Sequence, residues 1–368
     1  MRLRKRMPMT NRQQRLMAAL DERGAGAFVA TKRPNQLYLL DHEDPSAVIS
    51  RPNCHAIVFA ADETTVFPGI WISNACRDLL TDCEVIPCQL GGEPAQDQLV
   101  SVLAKKRYSK VIFDQLPDPL AQQLAAVGVE AVGEDVGVQL RRTKDQADLA
   151  GMRRAAAVAD LGITAAFAAI RPGVTCLDAI AEGTAVMLRA GAESVSMAPA
   201  SGVGTYYLDS AEDPRRVIDE GDMVFIDMGI YVHGYLGDMT RAGLVGEGAP
   251  DQRRLLKTVQ EAYQLGADAM LPGADGAAIY QGVVDHFEAQ GWGRYYYHHL
   301  SHGLGLGGDL PRIAPGNAMV LQAGDALSCE PGVYVPGLGG ARVENMIYVG
   351  ADGPEALTKA PLDLPMGF

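Results

Sequence analysis

The sequence predicts an α/β domain followed by an α+β domain, and three observations carry that expectation. The chain has 368 residues, which is long for one domain and comfortable for two. Its first third alternates helical patterns with short β-branched and aromatic runs. Beyond residue 195 the signals are strands and turns interrupted by one helical block, as expected for helices packed on a largely antiparallel sheet. The texture changes just before "VQLRRTKDQ", so the expected domains are 1–138 and 139–368.

In the first domain, "RQQRLMAALDERG" places Leu16, Met17 and Leu20 at helical spacing and stops at Gly24. "GAFVAT", "HAIVFA", "TTVFPG" and "KVIFD" read as short strands of a mostly parallel or mixed sheet. The second domain opens on one long helical pattern, "LRRTKDQADLAGMRRAAAVADLGITAAFAAIRPG", ended by Pro172-Gly173, and a second helix, "CLDAIAEGTAVMLRAGA". "MVFIDMGIYV" turns through His233-Gly234 into "YLGDMTRAGLVG", and "PDQRRLLKTVQEAYQLGADAML" is the helical block. "ALSCEPGVYV" and "ARVENMIYVG" read as a strand pair joined through "PGLGG".

Composition narrows the function. A formal net charge of −13 argues against nucleic-acid and anionic-membrane partners. No apolar run is long enough to span a bilayer. The start, "MRLRKRMPM", is basic without the apolar stretch of a secretory signal. Six cysteines without paired spacing read as reduced thiols, and a cytoplasmic protein is expected.

Four acids sit inside or beside apolar strands: Asp227 in "VFIDMG", Asp238 in "GDMTRAG", Glu330 in "ALSCEPG" and Glu344 in "ARVENM". Isolated carboxylates are costly to bury unless they are paired or metal-bound. Each alone reads as a strand-end or salt-bridged residue, with Arg241 and Arg342 as nearby partners. Together with His302, which opens "HGLGLGGD", they can hold two divalent cations with carboxylates bridging. Such an oxygen-rich set suits Mn²⁺, with Co²⁺ and Fe²⁺ as neighbours in preference, and Zn²⁺ accepts the same groups. The glycine run lacks the lysine and the helix start of a phosphate loop, so it reads as strand and turn. His298 and His299, beside Tyr295 to Tyr297, read as packing residues, and His233 and His286 as surface or turn residues.

The order Asp227, Asp238, His302, Glu330, Glu344 resembles the pita-bread metalloenzymes: Xaa-Pro aminopeptidases, prolidases, methionine aminopeptidases and the metal-free creatinase. The stretches that carry the likeness are "VFIDMGIYVHGYLGDMTRAGLVG", "SHGLGLG", "CEPGVYVPGLGG" and "ARVENMIYV", with ten residues between Asp227 and Asp238. "RQQRLMAALDERGAGAFVATKRPNQLYLL" is similar to the N-terminal domain of prolidases and creatinase, and the layout is most like bacterial prolidase-like Xaa-Pro dipeptidases. The resemblance implies an α/β N-terminal domain and an α+β pita-bread, creatinase/aminopeptidase-like catalytic domain. It also implies that Asp227 holds one metal, that Asp238 and Glu344 bridge, and that His302 and Glu330 complete the second site. A metal-bridging hydroxide would attack an amide in a short peptide, Glu330 would shuttle the proton, and Thr240 and Arg342 would orient ligands. A homodimer is expected on the same ground.

The pattern also departs from the family. Peptide-cleaving relatives usually carry a histidine seven residues after the ligand histidine. Here counting from His302 reaches Asp309, and counting back from Pro311 reaches Gly308. A second histidine usually stands seventeen residues before the first ligand aspartate, which is Ser210 here, with Tyr206, Tyr207 and Asp209 nearby. Asp309 would then favour a cationic or amine-bearing substrate or act as a base. Three functions follow: an Xaa-Pro-type metallohydrolase, a divergent enzyme acting on a small non-peptide metabolite by C–N hydrolysis or lyase chemistry, and a non-catalytic binding protein. A complete ligand set argues against the third, because clustered carboxylates repel without metal.

Overall fold

The structure is a computed structural model that describes residues 9–41, 54–88, 91–207, 214–317 and 319–367. The basic start of the chain, Asp209 and Ser210 lie outside the described residues. The chain divides into two compact units, Met1–Arg141 and Arg142–Phe368, where the sequence places the boundary at 138/139. Among the described residues no helix is long and apolar enough to cross a membrane.

In the first unit Thr10 caps helix α1 (Asn11–Asp21) through a reciprocal bond pair with Gln13, and Leu16 and Leu20 form its buried stripe. The strands are β1 (Ala27–Ala30), β2 (Cys54–Ala60), β3 (Thr64–Pro68), β4 (Glu84–Val85), β5 (Lys110–Phe113) and β6 (Glu130–Gly133). They form one mixed sheet in the order β4-β3-β2-β1-β5-β6, with β1 antiparallel to β2 and parallel to β5. Helices α2 (Arg33–Leu40), α3 (Ser73–Leu79), α4 (Ala95–Lys106), α5 (Asp118–Ala126) and α6 (Val136–Arg142) accompany it.

The second unit begins where the expected long helix breaks. Asp145 accepts from the backbone N–H of Asp148, so α7 (Gln146–Ala169) starts afresh instead of continuing α6. Thr175 caps α8 (Cys176–Arg189) in the same way. The two helices pack closely, because a Cβ at Gly183 would lie 2.7 Å from the Gly162 carbonyl oxygen. Strands β7 (Ser194–Ser201), β8 (Met223–Val232) and β9 (Tyr235–Leu244) form an antiparallel sheet. After α9 (Pro250–Asp268), the structure adds α10 (Gly276–Ala289), a helix that corrects the expectation of a single block. Its stripe is plain in retrospect: Ile279, Val283 and Phe287 recur every fourth residue and are buried.

The strands that follow are β10 (Ser301–Gly303), β11 (Asp309–Ile313), β12 (Ala326–Cys329), β13 (Gly332–Val335), β14 (Gly339–Arg342), β15 (Asn345–Gly350) and β16 (Gly353–Ala356). Five of them make a sheet in the order β11-β10-β12-β15-β16, while β13 and β14 pair separately. The expected strand pair around "PGLGG" is therefore two short ladders, β12 with β15 and β13 with β14. Pro331 lacks the N–H a continuous ladder needs, and the interruption falls at Glu330-Pro331 and Val343-Glu344.

Candidate metal centre

The β8–β9 ladder sets the first two acids. Asp227 stands opposite Thr240 and Gly229 opposite Asp238, so all four positions share one face of the sheet. The second pair comes from the broken ladder: Glu330 follows β12 and Glu344 precedes β15, both buried. Their backbones are anchored elsewhere, with Glu330 N–H donating to Leu300 O (2.9 Å) and Glu344 N–H to Thr240 O (3.0 Å). The fully buried Arg241 clamps the same region. Its five hydrogen bonds go to the carbonyls of Thr240, Glu344, Ala360 and Pro361 and to Asn345 Oδ1. Burial lowers its pKa to about 10.

His302 comes from β10, whose one glycine, Gly303, permits close approach. A Cβ at Gly303 would lie 2.2 Å from Asp309 O. The glycine run is thus the end of β10 and the bend into β11, closed by the Gly303–Asp309 pairing, and it delivers one imidazole. His302 Nε2 lies 3.4 Å from Asp238 Oδ2, 3.4 Å from Glu330 Oε1 and 4.0 Å from Glu344 Oε1. Two sets of donor atoms converge there: Asp238, His302 and Glu344, and His299, His302 and Glu330.

The residues fit divalent cations. Glu344 Oε1 is buried with no hydrogen-bond partner among the described residues. Burial, reinforced by the neighbouring carboxylates, raises the pKa of Asp238 and of Glu344 well above the ordinary range. Donors about 2.1 Å from one cation stand roughly 3.0–3.4 Å apart along the edges of its coordination shell, which matches the spacings around His302. Glu330 differs. Burial would raise its pKa, but the hydrogen bond from His299 and the charges of His302, His299 and Arg342 outweigh burial and bring it to about 2.

Asp227 stands apart from both donor sets. Its carboxylate accepts from Arg342 Nη2 and lies 3.1 Å from Thr240 Oγ1. The Thr240 hydroxyl accepts from Arg342 Nε (3.2 Å) and reaches Glu344 Oε2 (2.8 Å), so its single proton serves Asp227 or Glu344 in turn. Arg342 also donates to Tyr334 OH (2.7 Å), whose proton faces His298 Nε2 at 3.4 Å.

Three expectations drawn from the sequence are changed by this geometry, beginning with Asp309. Its side chain is buried and ion-paired with Lys144 Nζ at 2.8 Å, so its carboxylate neutralises a buried ammonium instead of waiting for a cationic substrate. Among the described residues Tyr206 and Tyr207 make no hydrogen bond to the carboxylates. Tyr206 packs on the core, and Tyr207 is exposed, its ring 5.5 Å from that of Tyr206. His298 is indeed a packing residue, edge-on to Tyr296 and held neutral by burial, which lowers its pKa to about 4. His299 is not. Its Nε2 lies 3.1 Å from Glu330 Oε1, a contact no sequence spacing announced. Ser328 was missed too: it accepts from His302 N–H (3.0 Å) and donates to Glu330 Oε1 (2.8 Å).

Comparisons with known proteins agree with this architecture. Metallopeptidase family M24 matches residues 150–351. The chain is 30% identical to a putative dipeptidase, YkvY, of Bacillus subtilis (strain 168), over 96% of this chain and 99% of that protein. It is 31% identical to an Xaa-Pro dipeptidase of Pyrococcus furiosus over 63% of this chain and 67% of the other. An Xaa-Pro dipeptidase structure from Bacillus anthracis superposes with a TM-score of 0.85 at 25% identity, covering 98% of this chain and 100% of that one. An X-Pro aminopeptidase from Thermotoga maritima shares the fold, with a TM-score of 0.85 at 22% identity, over 96% and 99% of the two chains.

Proposed function

Because the chain belongs to metallopeptidase family M24 and is a metal-dependent hydrolase of pita-bread fold, we propose that it cleaves the amide bond before proline in a dipeptide or similarly short peptide. Asp227, Asp238, His302, Glu330 and Glu344 would hold two divalent cations, Mn²⁺ by the oxygen-rich donor set. The observation that carries this reading is the convergence on His302 of two buried carboxylates, Glu330 and Glu344, and the half-buried Asp238, with Glu344 Oε1 unpartnered among the described residues. When bound, the cations supply Lewis acidity: they polarise the scissile carbonyl and acidify the attacking water.

The chain's own residues do the rest. Glu330 takes the proton of the attacking water and returns it to the leaving amine. Thr240 and Arg342 keep Asp227 and Glu344 in place, and Arg241 fixes the backbone from which Glu344 projects. Catalysis before proline is supported by the names of the relatives, which are dipeptidases and Xaa-Pro dipeptidases.

A second reading has a specific observation in its favour. Neither Asp309 nor Gly308, the two positions that the family's spacing points to for a substrate-facing histidine, offers an imidazole, and Lys144 occupies the Asp309 carboxylate. A small amide that is not a prolyl peptide fits that loss. Metal analysis and a panel of Xaa-Pro dipeptides with added Mn²⁺, Co²⁺ or Zn²⁺ separate the readings. Turnover of an Xaa-Pro dipeptide supports the first, and full metal loading without turnover of any dipeptide favours the second. Failure to take up metal at all overturns both.

A further inference from the structure

An imidazole reaches Glu330 from a place where the sequence gives no reason to expect one. His299 lies just ahead of β10, with its side chain 28% exposed and its ring 5.8 Å from that of His302. Its Nε2 is 3.1 Å from Glu330 Oε1, and on the other side of the ring Arg312 Nη2 is 3.4 Å from Nδ1. A guanidinium only donates, so Nδ1 is the acceptor and Nε2 carries the ring proton. That proton is therefore donated to Glu330 Oε1. The His299 backbone is pinned independently, its carbonyl 2.7 Å from His298 Nδ1. Ser328 reaches the same carboxylate oxygen, donating at 2.8 Å. Two protein donors thus hold Oε1 and leave Oε2 as the oxygen turned away from them.

We propose that His299 is a positioning residue for Glu330: locked by Arg312 as the Nε2–H tautomer, it holds Oε1 and so directs Oε2 to the water whose proton Glu330 moves. This assignment rests on the hydrolase reading above. It differs from a role as a further metal ligand, which needs the Nε2 lone pair free and an acceptor, not a donor, opposite Nδ1. Arg312 imposes the reverse. The contact also accounts for how the site keeps an imidazole beside the reacting groups although Asp309 is committed to Lys144.

The test uses the full chain. His299→Ala is expected to lower kcat by about 10- to 100-fold, the usual effect of removing a group that orients a ligand. KM should stay unchanged. His299→Gln keeps a donor for Glu330 and an acceptor for Arg312, and should recover most of the loss without disturbing the fold. Nitrogen-15 NMR of the metal-free protein should show His299 as the Nε2–H tautomer, with that preference relaxed in Arg312→Ala. Loss of metal affinity in His299→Ala that His299→Gln does not restore would make His299 a ligand and overturn the proposal. An unchanged kcat, a Nδ1–H tautomer, or no recovery by Gln would overturn it equally. Should the wild-type protein cleave no peptide, the hydrolase reading alone fails, because tautomer and metal affinity still decide what His299 does.

Discussion

Within residues 142–368, Gly173 N–H donates to Ile218 O and Leu177 follows a cap at Thr175; Gly273 N–H donates to Leu321 O after the same Pro-Gly turn, with a cap at Asp275. Further on, Asp222 O accepts from Val245 N–H and Asp325 O from Val349 N–H, both at 2.8 Å, and Arg216 and Arg142 pair with those two aspartates. The same five-residue step then leads from Asp222 to Asp227 and from Asp325 to Glu330. The halves use one scaffold and diverge at the acid. In the first, β8 and β9 run in unbroken register from Met223↔Leu244 to Val232↔Tyr235, and the pleat sets the face from which Asp227 and Asp238 project. In the second, the ladder stops at Cys329 and resumes at Gly332, so side-chain clamps must do the aiming. A continuous ladder fixes spacing, and a broken one frees direction.

The largest expected effect lies on the broken side. Glu330→Gln should lower kcat by about 10³-fold, within the range general acid–base groups contribute, while circular dichroism stays native. An unaffected rate would remove Glu330 from proton transfer. Arg241→Met comes next. It withdraws the donor from buried carbonyls beside Glu344 and should cost about 3 kcal/mol or more in urea unfolding. A loss under about 1 kcal/mol would mean the break supports itself.

Metal removal gives the third effect. Without cations, burial and neighbouring carboxylates hold Asp238 and Glu344 above the ordinary range, so the folded protein binds more protons there than the unfolded chain. Their contribution is complete below the ordinary carboxylate pKa and is lost as pH rises through the raised values. Chelated protein should therefore lose urea resistance as pH rises over that window. A cation at about 100 times its Kd should add about 2.7 kcal/mol and flatten the trend. Glu330, held at about 2, acts in a different window, its contribution disappearing as pH falls from 4.5 toward 2. Resistance rising with pH in the chelated protein across the first window would contradict the mutual repulsion of these carboxylates. The smallest effect tests the shared scaffold: Thr175→Ala and Asp275→Ala should each cost about 1 kcal/mol in thermal unfolding. Markedly unequal costs would show that the duplicated caps do different jobs.

The nearness of Asp238, Glu330 and Glu344 to His302 was legible, because carboxylates inside apolar strands are costly and several together call for a common purpose, whereas Asp227 lies outside both donor sets and pairs with Arg342. Both domain classes were legible from their alternating or strand-rich texture. The α10 helix was not, since glycine and β-branched residues dilute its stripe around Ile279 and Val283. His299 was hidden for another reason: a histidine among tyrosines reads as packing, and only the fold brings Glu330 and Arg312 to its two nitrogens. Asp309 invited a substrate role because its counter-charge, Lys144, lies far back in the chain, at the start of the second unit.

That buried pair has a consequence for redesigning the site. Placing a histidine at 309 removes the carboxylate from beside a buried ammonium, a change that typically costs about 3–5 kcal/mol. Neutralising Lys144 first takes the counter-charge from a buried carboxylate, at a similar cost. The two positions are therefore coupled: a change at either one alone passes through a destabilised protein, and only a paired change avoids it.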